Sequence, residues 1–396
     1  QRINFDKLRK ERLEKAQKAL RESEADALLL FDMNNIRYTT STWLGEWARD
    51  KLMRYAIVLE NSQPLLFDFG SVVAHKKQMC PWIGETTYPS ASTMRGTIPA
   101  EVGIEQEIID ALADALKQHG IPAKAKIGVD IMDVPTLVGL QKKGYTIVDG
   151  QRIMLNARKV KTEDEIHLLE YSVAIVDAGY SNIVRNLRAG IRENELVAIM
   201  NDTCYRLGSD QVEAVNCISG PRCHPHPHNF ADRLIRPGEM VFMDVINAFC
   251  GYRTCYYRTF HVGKASKATH DAYKKTYDWL YDSISRVKPG QTTADICKAF
   301  PTAKEMGIEN EALAFALQFG HGIGLSVWEF PVVSRRVSME HPMPIEENMT
   351  FALETYCPAA DGSGNAARIE EELVVTKNGC RVISKFPCEE LICVDP

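Results

Sequence analysis

Residues 244–260 read DVINAFCGYRTCYYRTF, and they place an acid and a thiol within one predicted hairpin. The apolar run before Asp244 predicts a buried strand, Cys250-Gly251 predicts a turn, and the strand after the turn carries Cys255. Two side chains on neighbouring strands can point into one pocket. A carboxylate inside a buried strand is costly unless a proton, a cation or a metal accompanies it. The hairpin therefore raises the possibility of a metal site in which a thiol stands beside an acid.

The composition is that of an ordinary soluble protein. The chain has 396 residues, 45% of them hydrophobic and 25% charged, and 47 basic against 52 acidic residues give a net charge of −5. This length allows two domains. The charge offers no electrostatic case for nucleic acid or an anionic membrane, and no apolar run is long enough to span a bilayer. We therefore expect a small-molecule substrate and neither a nucleic-acid nor a membrane partner.

The cysteines and the N-terminal segment indicate a reducing compartment. There are 11 cysteines, and no pair has the CxxC spacing, which favours reduced, mostly buried thiols over a disulfide framework. The segment QRINFDKLRKER lacks the apolar stretch of a signal peptide. The predicted location is cytoplasmic.

The pattern of elements changes near residue 155. Before it, the helical segments KLRKERLEKAQKALRESE and EIIDALADALKQHG alternate with the strand-like segments ADALLLFD, RYAIVLE and PLLFDFG. After it, Thr162 followed by Glu165 predicts a capping box that opens a long helix. The interpretation is an α+β protein with an α/β domain over residues 1–155 and a second domain over residues 156–396.

The second domain is predicted to contain a helix over TTADICKAFPTAKEMG, residues 292–307, and to end in the strands MTFALETYC, ARIEEELVVTK and CRVIS. It also contains four polar clusters. These are SGPRCHPHPHNFADR with His224, His226 and His228, the hairpin with Asp244 and Cys255, FGHGIGLSVWEFP with His321 and Glu329, and the terminal strands with Glu354 and Glu370. Taken singly, each cluster has a structural explanation, and the EEE run that begins at Glu370 is typical of a solvated face.

Taken together, the clusters indicate a metal. Asp244 follows the apolar run MVFM and Glu354 follows MTFAL, so both carboxylates lie in strands that read as buried. Glycines on both sides of His321 allow the backbone to approach a ligand closely. Arg368 and Glu370 are two residues apart and share one face of a strand. Carboxylates combined with one histidine suit Mn, Fe, Co or Zn.

These motifs resemble the pita-bread superfamily, which includes creatinase, Xaa-Pro dipeptidase, aminopeptidase P and methionine aminopeptidase. ADALLLFDMNNIRYTTS is similar to the start of the creatinase-type N-terminal domain, and ARKVKTEDEI is similar to the linker that follows it. GHGIG, MTFALE and ARIEEELVVTKNG are similar to the signature segments of the catalytic domain. The resemblance implies a creatinase-like N-terminal α/β domain followed by a pita-bread catalytic domain. It also implies a homodimer with the active site near the subunit contact.

The resemblance implies a set of metal ligands with one change. Peptidases of the family hold two metals with two aspartates, one histidine and two glutamates. The matching positions here are Asp244, Cys255, His321, Glu354 and Glu370, with Cys255 in place of the second aspartate. A thiolate binds Zn or Fe well, whereas a neutral thiol would leave at most one ion. We expect one or two divalent ions of Zn, Fe or Mn, and a metal-free site as in creatinase is the alternative.

Further departures place the chain nearer to the non-peptidase members. Trp328 stands before Glu329, where peptidases usually carry a second histidine, and tryptophan accepts no proton. SGPRCHP and WEFP resemble the branch that contains dimethylsulfoniopropionate lyase. TWLGEWARDKLMRY matches a loop that family members place over a partner's active site, although a surface loop with incidental aromatics is the alternative. Candidate contacts for a small zwitterion are Trp43, Trp47, Arg49, Trp328 and Glu329.

The leading hypothesis is metal-dependent hydrolysis of a C–N bond, amide or amidine-like, in a small charged or zwitterionic metabolite. Glu354 would accept a proton, and His226 or His228 would donate one to the leaving nitrogen. Both histidines are candidates because neither aligns with the family's histidine without a one-residue shift. Arg368 would bind a substrate carboxylate or a neighbouring glutamate. The alternatives are a lyase of the dimethylsulfoniopropionate-cleaving type, an Xaa-Pro dipeptidase and a non-enzymatic binding module.

Overall fold

The computed structural model describes residues 3–45, 49, 52–315 and 317–396, and this part of the chain forms two compact units. One unit ends at Arg158 and the other begins at Lys159. Each unit contains its own sheet or sheets and its own cluster of buried apolar side chains. Across the described residues, no helix combines the length and the apolar character needed to cross a bilayer.

The N-terminal unit is built on a six-stranded mixed sheet with the strand order β4-β3-β2-β1-β5-β6. The central strand β1 pairs antiparallel with β2 and parallel with β5. The elements in chain order are α1 (Phe5–Arg21), β1 (Ala27–Leu30), α2 (Met33–Thr40), β2 (Tyr55–Val58), β3 (Leu65–Asp68), α3 (Gly70–Met79), β4 (Thr87–Pro89), α4 (Ile104–Gln118), β5 (Lys126–Val129), α5 (Val134–Lys142), β6 (Thr146–Asp149) and α6 (Gly150–Arg158).

Residue pattern explains how this unit packs. Spacing of four residues places Ile108, Leu112 and Leu116 on one face of α4, and all three are buried. They pack in one apolar cluster with Leu29 of β1 and Ile127 of β5. The amphipathic helix predicted from EIIDALADALKQHG therefore covers one face of the sheet.

The C-terminal unit contains two five-stranded sheets. One has the order β16-β10-β8-β7 with β9 paired to β8, and the other has the order β12-β11-β13-β14-β15. The elements in chain order are α7 (Glu163–Asn186), α8 (Glu193–Arg206), β7 (Gln211–Ser219), β8 (Met240–Phe249), β9 (Tyr252–Arg253), β10 (Tyr257–Val262), α9 (Lys267–Ser285), α10 (Thr293–Cys297), α11 (Glu311–Ala314), β11 (Phe319–Gly322), β12 (Glu329–Val333), α12 (Arg335–Ser338), β13 (Thr350–Pro358), β14 (Ala366–Thr376), β15 (Gly379–Val382) and β16 (Ile392–Val394).

Side chains of β10 connect the two sheets of this unit. Thr259 Oγ1 accepts a hydrogen bond from Arg368 N at 2.9 Å and donates one to Arg368 O at 2.6 Å. Arg258 donates to the carbonyl of Glu370 at 2.6 Å and to the Glu371 carboxylate at 2.9 Å. These bonds hold β14 against the hairpin that carries the predicted site.

Local sequence signals account for one helix start and misjudge one helix end. The capping box is confirmed, since Thr162 Oγ1 accepts from Glu165 N while the Glu165 carboxylate accepts from Thr162 N at 2.8 Å. The helix predicted over residues 292–307 is wrong in extent, because α10 ends at Cys297. Pro301 lacks a backbone N–H and disfavours helical backbone at the residue before it, which explains the early end.

The predicted hairpin is present, with an interruption at its thiol. Cys250 and Gly251 both have positive φ, 50° and 85°, as a two-residue type I′ turn requires. Phe249 pairs with Tyr252 across this turn. The returning strand is broken between β9 and β10, and Cys255 lies in the break.

Candidate active site

One face of the sheet that contains β13 and β14 carries a histidine and three glutamates. Directly opposed residues of antiparallel strands point to the same face. Glu354 is paired with Glu370, and Ala352 is paired with both His321 and Glu372. The register therefore assembles these four polar side chains from three strands.

The hairpin supplies the acid and the thiol. Asp244 pairs with Tyr257 on one side of the break, and Ala248 pairs with Arg253 on the other, in the same register. Cys255 lies two residues before Tyr257, so alternation places its side chain on the face that Asp244 shares. Cys255 Sγ lies 3.7 Å from Asp244 Oδ1.

Cys255, His321 and Glu370 converge most tightly. Cys255 Sγ lies 3.8 Å from Glu370 Oε2, and His321 Nε2 lies 3.9 Å from Glu370 Oε1. One donor atom from each of the three residues lies within 4.8 Å of the other two, and all three residues are buried. The structure thus brings residues 115 positions apart in the chain into contact.

The electrostatics of the site favour a bound cation. Burial raises the pKa of Asp244, Glu370 and Glu372, and the Glu354 carboxylate raises that of Glu370 further. The pKa of the Cys255 thiol is raised by burial and by Asp244. Each of these shifts reflects the cost of negative charge in a dry pocket crowded with acids.

Burial has the opposite effect on the histidine. It lowers the pKa of His321 to about 4, because a protonated ring loses hydration in the pocket. The ring is therefore neutral near pH 7, the form in which imidazole binds a metal. His321 Nδ1 lies 3.0 Å from the carbonyl of Gly322, which leaves Nε2 toward Glu370.

Arg368 is a buried cation that binds one of these acids. Its Nε donates to Glu354 Oε2 at 2.9 Å, its Nη2 contacts the same oxygen, and its guanidinium lies 4.2 Å from the ring centroid of Tyr257. Burial raises the pKa of Glu354 and the charge of Arg368 opposes that rise. One oxygen of Glu354 is therefore occupied by the guanidinium.

The histidine loop lies beside this arginine. The rings of His226 and His228 stack at 4.4 Å, and the His226 ring centroid lies 6.0 Å from that of Tyr257. Burial, and then the charge of Arg368, lower the pKa of both histidines. His226 Nε2 is buried and has no hydrogen-bond partner within the described part of the chain.

Trp328 and Glu329 are adjacent in sequence but differ in environment. Trp328 is 61% exposed, and its ring lies 5.9 Å from that of His321. Glu329 is buried, accepts from Lys161 Nζ at 2.8 Å and from Ser326 N at 3.1 Å. Trp328 thus offers a ring beside the site, whereas the Glu329 charge is matched by an internal lysine.

The other three expected substrate contacts belong to the N-terminal unit or lie outside the description. The Trp43 ring is stacked under the Arg37 guanidinium at 4.8 Å, and its carbonyl accepts from Lys76 Nζ at 3.0 Å. Arg49 lies in a turn. Trp47 lies outside the described residues. Their contact with substrate stays a prediction.

Two residues of the pocket were not predicted from the sequence. Asn216 of β7 donates to Asp244 Oδ2 at 3.1 Å, and Glu372 Oε1 accepts from Cys255 N at 2.7 Å. Glu372 had a usable signal, since it lies two residues after Glu370 and strand alternation puts both on one face. No sequence signal indicated Asn216, because its pairing with Asp244 is known only from the register of the sheet.

The residues present fit a divalent transition metal. Two ligands bound at about 2.0–2.3 Å with a tetrahedral angle lie about 3.5 Å apart, close to the separations measured between Cys255, Glu370 and His321. Glu370 is fully buried, and its Oε1 has no hydrogen-bond partner among the described residues. A buried carboxyl oxygen without a donor is costly unless the group is protonated or a cation binds it.

Comparison with known proteins identifies the family. Residues 167–377 match the model of Metallopeptidase family M24, and residues 12–160 match the Creatinase/Prolidase N-terminal domain. The chain therefore belongs to metallopeptidase family M24, and its two domains have the layout of the creatinase/prolidase pita-bread superfamily. The fold class and the family expected from the sequence are confirmed.

Relatives with different activities resemble the chain over most of its length. It is 25% identical over 375 residues to an uncharacterized hydrolase/peptidase of Sinorhizobium fredii, covering 92% of this chain and 91% of the relative. It is 23% identical over 385 residues to dimethylsulfoniopropionate lyase DddP of Roseobacter denitrificans, covering 91% and 81%. The structure of an Xaa-Pro dipeptidase from Bacillus anthracis superimposes with a TM-score of 0.78 at 21% identity, covering 97% and 99%, and shows the same fold.

Proposed function

We propose that this enzyme is a metal-dependent hydrolase of a C–N bond, amide or amidine-like, in a small charged or zwitterionic metabolite, and that it is not a general peptidase. The observation that carries the proposal is the buried set of four carboxyl groups, one thiol and one neutral imidazole, in which one carboxyl group binds the Arg368 guanidinium. A bound cation would offset the cost of ionising these buried acids. The family supplies the precedent for a metal.

The proposed metal ligands are Cys255, His321 and Glu370, with Asp244 and Glu354 beside them. A divalent ion held there would lower the pKa of a bound water toward neutrality. Glu354 would accept the proton of that water, and Arg368 holds its carboxylate in place through two N–H donors. The guanidinium lies fully buried and fixed, so the geometry of the base is set before substrate binds.

The proposed proton donor to the leaving nitrogen is on the histidine loop. His226 has an unpartnered, buried Nε2 and lies near Tyr257, the ring that contacts Arg368. His228 is stacked on it and more exposed to solvent. His226 Nδ1 lies 2.6 Å from the carbonyl of Pro227, so the neutral ring keeps its proton on Nδ1 and Nε2 can only accept. We therefore propose the more exposed His228 as the proton donor and His226 Nε2 as a hydrogen-bond acceptor for the substrate.

Trp328 supports the restriction to small charged substrates. An exposed indole face 5.9 Å from the His321 ring can pack against an onium group, and it cannot supply the proton that a histidine would. Trp43, Trp47 and Arg49 are proposed as further substrate contacts. Glu329 is proposed to position the Trp328 loop, because its carboxylate holds Ser326 N and Lys161.

A lyase is the second candidate, favoured by the likeness to dimethylsulfoniopropionate lyase over 385 residues. In that reaction a base removes a proton next to the substrate carboxylate and Arg368 stabilises the charge that develops. The two reactions differ in their use of water, because elimination leaves an alkene and incorporates no solvent oxygen.

The test is product analysis in ¹⁸O-labelled water. Metal-loaded enzyme is incubated with creatine, N-acetylated diamino acids, cyclic amidines, dimethylsulfoniopropionate and Xaa-Pro dipeptides, and products are identified by mass spectrometry. We expect label in the product of an amide or amidine. Acrylate formation without label would establish the lyase, and efficient cleavage of Xaa-Pro dipeptides would refute the restriction to non-peptide substrates.

Substitution of Trp328 tests the recognition of a cation. We expect Trp328→Ala to raise KM for the cationic substrate about fivefold with little change in kcat, because an exposed cation–π contact is worth about 1 kcal/mol. Trp328→Phe keeps an aromatic face, so its KM should lie between those of the wild type and Trp328→Ala. Stability should change by less than about 0.5 kcal/mol, since the side chain is 61% exposed. An unchanged KM in Trp328→Ala would remove this residue from the substrate site.

A further inference from the structure

The position of Cys255 departs from the family pattern in a way that bears on how many ions the site holds. A carboxylate offers two oxygens and can connect two ions, whereas a thiolate offers one strongly preferred donor atom. The remaining acids are partly engaged within the protein. One Glu354 oxygen is held by Arg368, and one Asp244 oxygen accepts from Asn216.

The thiol itself is fixed by the backbone around it. Glu372, which is fully buried, accepts from Cys255 N at 2.7 Å. This bond anchors the break in the hairpin strand and orients the Cys255 side chain between Asp244 and Glu370. Cys255 packs against Ile323 and Ala352, while its Sγ lies 3.7 Å from Asp244 Oδ1 and 3.8 Å from Glu370 Oε2. The apolar contacts hold the thiol in place with its sulfur toward the two carboxyl groups.

Independent of the thiol, Glu370 points to a ligand. It has no exposed surface, one of its oxygens faces His321 Nε2 at 3.9 Å without hydrogen-bond geometry, and the other faces Cys255 Sγ. One sulfur, one nitrogen and one oxygen donor within 4.8 Å of one another are the ligand types that would hold zinc through three protein side chains.

We propose that this enzyme binds a single zinc-like ion through Cys255, His321 and Glu370, in place of the carboxylate-bridged pair of ions used by the family's peptidases. Binding forms a metal–sulfur bond and breaks the S–H bond, and the thiol proton is released to solvent. The sulfur ligand selects Zn²⁺, Co²⁺ or Cd²⁺ over Mn²⁺. This inference rests on the metal site of the proposed function but not on its reaction.

Cobalt titration tests the proposal without any measurement of turnover. The full-length protein is reduced, stripped with a chelator and titrated with Co²⁺ under anaerobic conditions, while the near-ultraviolet thiolate-to-cobalt charge-transfer band is recorded. We expect one equivalent to bind with this band. Cys255→Ala should lose the band, and Cys204→Ala, which removes another fully buried thiol on α8, should keep it.

Restoration of the carboxylate gives the converse result. Cys255→Asp should lose the band and bind two equivalents of Co²⁺. The ratio of its affinities for Zn²⁺ and Mn²⁺ should be about ten- to a hundredfold lower than in the wild type. Circular dichroism of each stripped variant establishes that it is folded, and the ¹¹³Cd chemical shift of Cd²⁺-loaded protein reports sulfur ligation without reference to cobalt.

Two outcomes would overturn the proposal. One is binding of two equivalents to the wild type without a charge-transfer band, and the other is a band that persists in Cys255→Ala. Failure of hydrolysis with the band intact would reject the proposed reaction and leave the metal site standing. Hydrolysis without the charge-transfer band would reject the proposed metal site and leave the proposed reaction standing.

Discussion

The chemical role proposed for Cys255 depends on the groups that surround its sulfur. A cysteine in a chain with 11 of them is ordinarily a small buried apolar group. Here Sγ lies 3.7 Å from Asp244 Oδ1 and 3.8 Å from Glu370 Oε2, and the backbone N–H is held by Glu372. The family resemblance predicted its position in the ligand set, and these contacts support the proposal that it binds the ion.

His321 provides a pH test in metal-free protein. Its pKa is about 4 in the folded state against about 6.5 in an unfolded chain, so the unfolded state binds more protons between these values. The free energy of unfolding contributed by this residue is therefore fully present above pH 6.5 and is lost as the pH falls toward 4. We expect the loss to be on the order of 2 kcal/mol between pH 7.5 and 4.5.

Comparison with a variant isolates the histidine in that experiment. Unfolding by urea is measured for chelated wild type and for His321→Gln at both pH values, because other groups also titrate in this range. Between pH 7.5 and pH 4.5, the wild type should lose about 2 kcal/mol more of its free energy of unfolding than His321→Gln loses. If both proteins lose stability in parallel, the ring is not buried in its neutral form.

The strands are aligned by elements whose geometry tolerates little change. β11 carries His321 between two glycines, and its pairing with β12 shifts register between His321 and Gly322. A Cβ on Gly322 would lie 2.1 Å from the carbonyl oxygen of Phe330, and one on Gly320 would lie 2.2 Å from Leu353. The glycines therefore allow the close approach of backbone that brings the histidine over β13.

A methyl group at Gly322 should separate β11 from β12. We expect Gly322→Ala to lower the free energy of unfolding by about 3 kcal/mol, since the clashing atom is backbone and cannot rotate away. It should also weaken Co²⁺ binding, because His321 is adjacent. Gly379→Ala on β15 is the matched control, as its Cβ meets no atom within 4 Å, and it should stay within about 0.5 kcal/mol of wild type. Equal effects of the two substitutions would contradict this account.

The molecule contains two units with separate cores, and the acids are concentrated in one of them. The C-terminal unit holds Asp244, Glu354, Glu370 and Glu372 in buried positions, and burial raises the pKa of each. A divalent ion that binds only the folded state stabilises that unit by mass action, about 2.7 kcal/mol when its free concentration is 100 times Kd.

Hydrogen exchange can locate this stabilisation. Addition of Zn²⁺ to stripped protein should slow amide exchange in β13 and β14 about 100-fold and leave β1 and β5 of the N-terminal unit unchanged. Mass spectrometry of peptic fragments measures both regions in one experiment. In Cys255→Ala the protection should fall below tenfold. Uniform protection of both units would place the ion elsewhere.

Local patterns were sufficient for much of the architecture. Short apolar runs indicated the strands, the Thr162–Glu165 pair indicated a helix start, and Cys250-Gly251 indicated the turn, because each depends on residues close together in the chain. The family resemblance added the order of the two domains. The shortened α10 shows the limit, since Pro301 overrode a favourable helical pattern.

Tertiary contacts decided what each acid faces. In the run EEE, alternation separates Glu371, which binds Arg258, Tyr281 and Ser384, from Glu370 and Glu372, which face the thiol. The sequence predicted only that Arg368 and Glu370 share a face, and it also allowed a solvated face for the EEE run, because period alone does not say what covers a strand. Sheet register and the packing of the hairpin on β14 bury all three carboxylates, and proximity across 115 positions is a property of that packing rather than of any local pattern.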